Sequence, residues 1–258
     1  MGLYQCIVLV IILLCTTFPA HADTGPLVAA ASSLRSLWPA LTRTYTSQTA
    51  QSISRVSFGS SGLLSTQILN GAPFEIFLSA DLASVKRLPK HFLKESPEVY
   101  ATGELCLVVP ASSPLAETLS LRTLAAALAQ NTNVQGLRVA IPNPIHAPYG
   151  KAAKAALQSA GIWPLPPGRL LSAENAAQTL QFVKSGAVAA AIVPRALLST
   201  NNKGIVSVAL PPDSYQAVEH YVAVLHVAES SAQRFARWLL SDDARQILEE
   251  SGLRVAVR

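Results

Sequence analysis

Short apolar runs alternate with stretches of helical apolar spacing along this 258-residue chain. That alternation admits few folds, because strands separated by helices return in parallel to one sheet and need helices on its faces. Residues 27–31 read as a first strand, and Leu34, Leu37, Trp38, Leu41 and Tyr45 then recur at helical spacing, with Pro39 tolerable in the first turns. Strands at 53–58 and 75–79 flank a helix over 61–70 that Gly71 closes, and Ala80-Asp81 opens another. Residues 101–110 form a longer strand which, with the loop 111–114, is a candidate crossover to a second lobe. There the pattern predicts helices at 119–129, 149–160 and 174–184 and strands at 137–141 and 187–193. Strands at 205–210 and 220–225 follow, then one amphipathic helix over 230–251 carrying Phe235, Trp238, Leu239 and Ile247, which is expected to pack back on the first lobe. The reading divides the chain into 1–22, 23–108 (lobe 1, first segment), 109–210 (lobe 2) and 211–258 (crossover and the rest of lobe 1).

Residues 7–14 are an apolar run followed by Phe18-Pro19-Ala20-His21-Ala22, a small-x-small pattern that predicts a secretory signal peptide cleaved after Ala22. The run is too short for a bilayer, which needs about 20 apolar residues. Leu13-Leu14-Cys15 invites a lipoprotein reading, but a bulky leucine stands where such signals keep a small residue. The segment predicts an exported protein. Cys6 and Cys15 leave with the signal, so Cys106, in the apolar run 105–109, has no disulfide partner and reads as a small buried hydrophobe. The net charge of +5 is dispersed among alanines and leucines without aromatic interleaving, which argues against nucleic acid and suits a small anion or a merely solvated surface.

Two junctions carry most of the chemical information. In 28–34 and in 56–62 a strand runs through serines into a helix. Free N–H groups at a helix start, the helix dipole and a serine hydroxyl together make an anion site. Ser32 and Ser61 are equally ordinary helix caps, and for either serine alone that reading stands beside the other. Two more helix starts follow. Pro142-Asn143-Pro144-Ile145-His146-Ala147-Pro148-Tyr149-Gly150 leads from strand to helix with Tyr149 at the helix start, where its N–H is free and its hydroxyl can reach a cleft. In 172–177, Ser172 is the expected N-cap, and Ala176 can contribute only its backbone. Gly59-Ser60-Ser61-Gly62 lacks the G-x-S-x-G spacing of a nucleophile elbow, since Leu63 takes the last glycine position. The histidines show no metal-ligand spacing and no well-placed acid, and no phosphate loop or dinucleotide turn is present.

The strings Ala30-Ala31-Ser32-Ser33-Leu34, Phe58-Gly59-Ser60-Ser61-Gly62, Gly71-Ala72-Pro73-Phe74-Glu75-Ile76-Phe77-Leu78-Ser79-Ala80-Asp81 and Pro142-Asn143-Pro144 through Tyr149-Gly150 resemble the periplasmic molybdate-binding proteins of ABC importers. The likeness runs in order over nearly the whole chain beyond residue 22. It implies an α/β fold of the two-lobed type 2 periplasmic binding class, each lobe a mixed sheet flanked by helices, with the ligand in the cleft. It implies molybdate or tungstate as ligand, a membrane permease as partner, a monomer, no cofactor, no enzymatic activity, and no metal held directly by side chains. The family's ligand positions fall on Ser32, Ser33, Ser61, Tyr149 and Ala176. One departure is Pro194, where some members carry a tyrosine.

The chemistry of the residues agrees. A dehydrated dianion is costly unless each oxygen meets donors, and hydroxyls and amides supply charge-assisted bonds without a countercharge. Sulfate carries the same charge as molybdate, so selection between them rests on cavity radius and donor spacing. Sulfate, phosphate or a small carboxylate is the rival ligand, the last favoured if Arg35 or Arg195 entered the cleft. A serine hydrolase using Ser61 or Ser33, and a sensory module without a permease, are the rival classes.

Overall fold

The computed structural model describes residues 25–53, 55–130, 137–198 and 203–255. The expected signal segment lies outside them. Among the described residues no helix is long and apolar enough to cross a membrane.

Two sheets divide the chain. The first has six strands in the order β11-β4-β10-β3-β1-β2, built from β1 (Leu27–Ala31), β2 (Arg55–Gly59), β3 (Ile76–Ser79), β4 (Glu98–Gly103), β10 (Val218–Val224) and β11 (Leu253–Arg254). The second has five in the order β7-β6-β8-β5-β9, from β5 (Leu105–Pro110), β6 (Val139–Pro142), β7 (Leu170–Ala173), β8 (Ala190–Pro194) and β9 (Ile205–Ala209). Strands β1, β2 and β3 run parallel, as do β6, β7 and β8, while β10 and β5 enter their sheets antiparallel. The stretch expected as one strand over 101–110 is therefore two. Glu104 separates β4 of one sheet from β5 of the other, because one uninterrupted strand would have to serve both ladders.

In the first lobe, helix α1 (Trp38–Thr49) takes Pro39 in its first turn, where a missing N–H costs nothing. Its apolar stripe of Trp38, Leu41 and Tyr45 packs on Phe235 and Trp238 of α7 (Ser230–Leu239), with the Tyr45 and Phe235 rings edge to face at 5.0 Å. Fully buried Phe235 is worth ~3–5 kcal/mol against truncation to alanine. The chain end thus belongs to the first lobe, but 230–251 is not one helix. It breaks at Leu240-Ser241, where extended Ser241 becomes the N-cap of α8 (Asp242–Glu250), and Asp242 and Asp243 favour a new N-terminus there. Helices α2 (Ser61–Leu69) and α3 (Leu82–Lys86) complete this lobe.

The second lobe packs Leu105, Leu107 and Val109 of β5 and Val139 and Ile141 of β6 against α4 (Leu121–Gln130) and α5 (Pro148–Ser159), whose Ala153 and Leu157 are fully buried. Helix α6 (Ala176–Lys184) covers the other face with Leu180 and Val183.

Candidate functional site

The carboxyl ends of β1, β2, β3, β6 and β7 empty toward one point between the lobes, and each chain end turns there into a loop or a helix start. Carboxyl ends of parallel strands are where such sheets present free helix amides. After β1 the chain makes a single 3-10 turn, Ser32–Leu34, with both serines buried. After β2, Ser60 caps α2 and Ser61 opens it. Tyr149 lies in the first turn of α5 and Ala176 opens α6.

Ser32, Ser33, Ser61, Tyr149 and Ala176 all line one cavity of about 10 Å³, together with Ser60 and small apolar residues, and no charged side chain lines it. That is room for the centre of about one water-sized body. Larger hollows exist. One of 720 Å³ lies at the opposite ends of the first-lobe strands, beside Phe74 and Phe92, and holds none of the five. Volume alone does not make a site, and it is the small cavity that gathers Ser32, Ser33, Ser60 and Ser61 with the helix starts at Ser61, Pro148 and Ala176.

The hydroxyls are differently engaged. Ser61 Oγ accepts the Ala80 N–H at 2.9 Å, which leaves its own hydrogen to donate. Ser32 Oγ accepts the Ala177 N–H across the lobes at a long 3.4 Å. Ser33, 1% exposed, has no hydrogen-bond partner for Oγ among the described residues, although it lies close enough to the Tyr149 hydroxyl to act on it. The Tyr149 hydroxyl bonds His220 Nε2 at 2.8 Å, and burial, then the field of Tyr215, push its pKa far above the ordinary phenol value, so it stays protonated. The first-turn amides of Ser61, Tyr149 and Ala176 have no acceptor within their own helices.

Other contacts join the two lobes around this point. His146 O accepts the Gly62 N–H at 2.9 Å, and its Nδ1 meets Ser60 Oγ at 2.8 Å. Burial lowers the His146 pKa and Glu174 opposes it. Ser36 Oγ donates to Leu197 O at 3.0 Å, and Lys151 approaches Asp81 at 3.8 Å.

One sequence reading changes here. Ser172 is not a cap: it lies in β7, paired with Ile141, and Asn175 caps α6 by accepting the Gln178 N–H at 3.1 Å. His220, which the sequence leaves without a well-placed acid or metal-ligand spacing, bonds two tyrosines 71 and 120 residues distant in sequence, a separation no local pattern reveals. Neither arginine enters the cavity. The Arg35 guanidinium lies 4.6 Å above the Phe58 ring, and Arg195 bonds Glu104 at 2.8 Å, a carboxylate it shares with Arg254. Pro194 ends β8 opposite Leu105, outside the cavity lining. No group of three or more His, Cys, Asp or Glu that could hold a metal ion occurs among the described residues.

Two sheet-and-helix lobes joined by crossover strands, with helix starts of both facing a shared small cavity, define the class of two-lobed solute-binding proteins. The sequence places the chain within it: residues 26–254 match the family described as bacterial extracellular solute-binding protein, and the chain belongs to that family. Its relatives include the molybdate-binding protein ModA of Rhodobacter capsulatus, 27% identical over 212 residues (81% of this chain and 79% of that one), and ModA of Haemophilus influenzae, 26% identical over 237 residues (90% of each). The solved periplasmic molybdate-binding protein of Azotobacter vinelandii superposes with a TM-score of 0.78 at 26% identity, over 90% of this chain and 100% of that one.

Proposed function

We propose that this chain is a periplasmic binding protein that captures molybdate, and tungstate by the same contacts, between its lobes and delivers it to the permease of an ABC importer. It acts as a monomer and catalyses nothing. One observation carries the reading: five residues from four separate loops bound a single cavity that no charged side chain lines, and the Ser33 hydroxyl is buried there beside the Tyr149 hydroxyl with no well-formed hydrogen bond among the described residues. A buried unpaired donor costs ~1–3 kcal/mol, which an acceptor-only guest recovers.

The hydroxyls of Ser32, Ser33 and Ser61 and the amides of Ser61, Tyr149 and Ala176 surround the oxygens of the anion. Each bond is charge-assisted and replaces a water. Closing the lobes dries the site and strengthens those bonds, and the closed outline is what the permease reads. With Arg35 and Arg195 engaged elsewhere, a carboxylate ligand has no guanidinium to meet it. Ser33 and Ser61 meet no imidazole among the described residues, so neither has a general base for hydrolysis.

Thermal unfolding with molybdate, tungstate, sulfate and phosphate in turn tests this. At about 100 times its dissociation constant a ligand adds about 2.7 kcal/mol, so the first two ions raise the melting temperature and the others do not. Equal shifts with sulfate refute the assigned selectivity.

A further inference from the structure

His220 is fully buried on β10, at a bulge where the register against β4 shifts between His220 and Tyr221. Bulges re-aim side chains, and here the imidazole points between two phenols. Its Nδ1 is 3.3 Å from the Tyr100 hydroxyl of the same lobe, and its Nε2 is 2.8 Å from the Tyr149 hydroxyl of the other. Gly103 leaves the space in which that second bond forms, since a Cβ there would stand 1.7 Å from Tyr149 Oη.

Proton positions follow from satisfaction. Tyr100 is 4% exposed, and among the described residues its hydroxyl meets only His220 Nδ1. Its hydrogen is satisfied only if Nδ1 accepts, and a neutral imidazole whose Nδ1 accepts carries its proton on Nε2. Nε2–H then donates to Tyr149 Oη. The Tyr149 hydrogen is thereby turned away from His220, toward Ser33 and the cavity. In the opposite tautomer Tyr149 would donate to Nε2, point its lone pairs at the cavity and leave the Tyr100 hydrogen buried without an acceptor. An anion brings no hydrogen of its own, so it selects the first arrangement. Neutrality of His220 accords with this: burial lowers its pKa to about 3.

We propose that His220 is a positioning residue for anion capture, which as the Nε2–H tautomer bonds Tyr149 across the lobes and orients the Tyr149 hydroxyl as a donor toward the site. The proposal rests on the function inferred above. It makes Tyr100, His220, Tyr149 and Ser33 a row of donors all directed at the guest.

Two measurements decide it. In wild-type protein with ¹⁵N-labelled histidine, the His220 signals, assigned by their loss in His220→Gln, are expected to show protonated Nε2 and bare Nδ1, unchanged from pH 5 to 8. An Nδ1–H pattern overturns the proposal, whatever the variants do. Titration calorimetry with sodium molybdate is then run on wild type, His220→Leu, His220→Gln, Tyr149→Phe and the Leu/Phe double variant. His220→Leu is expected to bind at least tenfold more weakly, and His220→Gln, whose amide N–H replaces the donor, within about threefold of wild type. The double variant is expected to match Tyr149→Phe within twofold, because His220 acts through that hydroxyl. Additive losses, or a His220→Leu protein that binds as wild type does, overturn the proposal and leave molybdate capture standing. A wild-type chain that binds no molybdate overturns both.

Discussion

Adding one methyl group at Gly103 is expected to weaken molybdate binding more than it weakens the fold. Gly103 ends β4 with ladder partners on both sides, Val218 and Leu253, so its backbone is held and cannot retreat. A Cβ built there falls 1.7 Å from Tyr149 Oη, 2.8 Å from Tyr149 Cζ and 3.3 Å from His220 Nε2. The ring must move. Overpacking costs ~1–3 kcal/mol, and a His220 nitrogen left unpaired costs another ~1–3 kcal/mol. Gly103 belongs to one lobe and Tyr149 to the other, so this penalty falls on their approach, which is the closure that traps the anion. Together ~2–6 kcal/mol, these correspond to a dissociation constant about 30 to 20,000 times higher. Titration calorimetry with molybdate reads it, and a melt without ligand checks that both lobes still fold. Tyr149→Phe in the Gly103→Ala background removes the atom in closest conflict and should recover part of the loss. Affinity of the Gly103→Ala protein within threefold of wild type would refute the reasoning.

The cavity serines should separate stability from binding. Ser33→Ala removes a buried hydroxyl whose neighbour is the Tyr149 hydroxyl and which makes no well-formed hydrogen bond among the described residues, so without ligand the melting temperature should change little, while molybdate affinity falls about 10- to 100-fold. Ser61→Ala orphans the Ala80 N–H, so it should lower both stability, by ~1–3 kcal/mol, and affinity, which urea titrations and calorimetry resolve. His220 stays neutral in the folded chain down to about pH 3, whereas an unfolded histidine takes its proton near 6.5. Between those values the unfolded chain binds the extra proton, so stability should fall as pH falls, by up to about 1.4 kcal/mol per unit from this group. Urea midpoints for wild type and His220→Gln should therefore diverge from pH 6 to 4, and parallel curves would contradict the assignment. Cys106, 4% exposed and pushed up to about 11 by burial, should resist iodoacetamide at pH 8 until the chain unfolds, as mass spectrometry would show.

What the residues disclosed in advance was local. Alternating apolar runs predicted most strands of both sheets, though not β7 or β11 and not the break between β4 and β5, because strand and helix periods are written in neighbouring positions, and serines or a tyrosine at helix starts marked the loops that meet. Ser172 misled because serine, asparagine and their neighbours cap helices about equally well. The choice of Asn175 depends on β7 continuing through Ser172 in a ladder with β6, a partner some thirty residues away. The single helix expected over 230–251 failed on a subtler signal, since Ser241-Asp242-Asp243 is a start sequence inside an amphipathic pattern that continues past it. His220 was the hardest to read. Its function depends on two tyrosines brought to it by tertiary packing and on a bulge that turns it inward.

A carrier must also let go. Contacts across the cleft around the site are few and mostly uncharged: Gly62 to His146, Ser60 to His146, Ala177 to Ser32, Tyr149 to His220 and Ser36 to Leu197, with a partly exposed Lys151–Asp81 pair at 3.8 Å. Neutral hydrogen bonds contribute about 1 kcal/mol each and an exposed ion pair less. Closure held by these alone is a shallow minimum, which a guest bonded to both lobes deepens and whose loss leaves the lobes free to part. An arginine in the cavity would add affinity but would also bury a charge once the anion left, at a cost of several kcal/mol. Donors without charge avoid that penalty, so the same cavity can close on a dianion and open after delivering it.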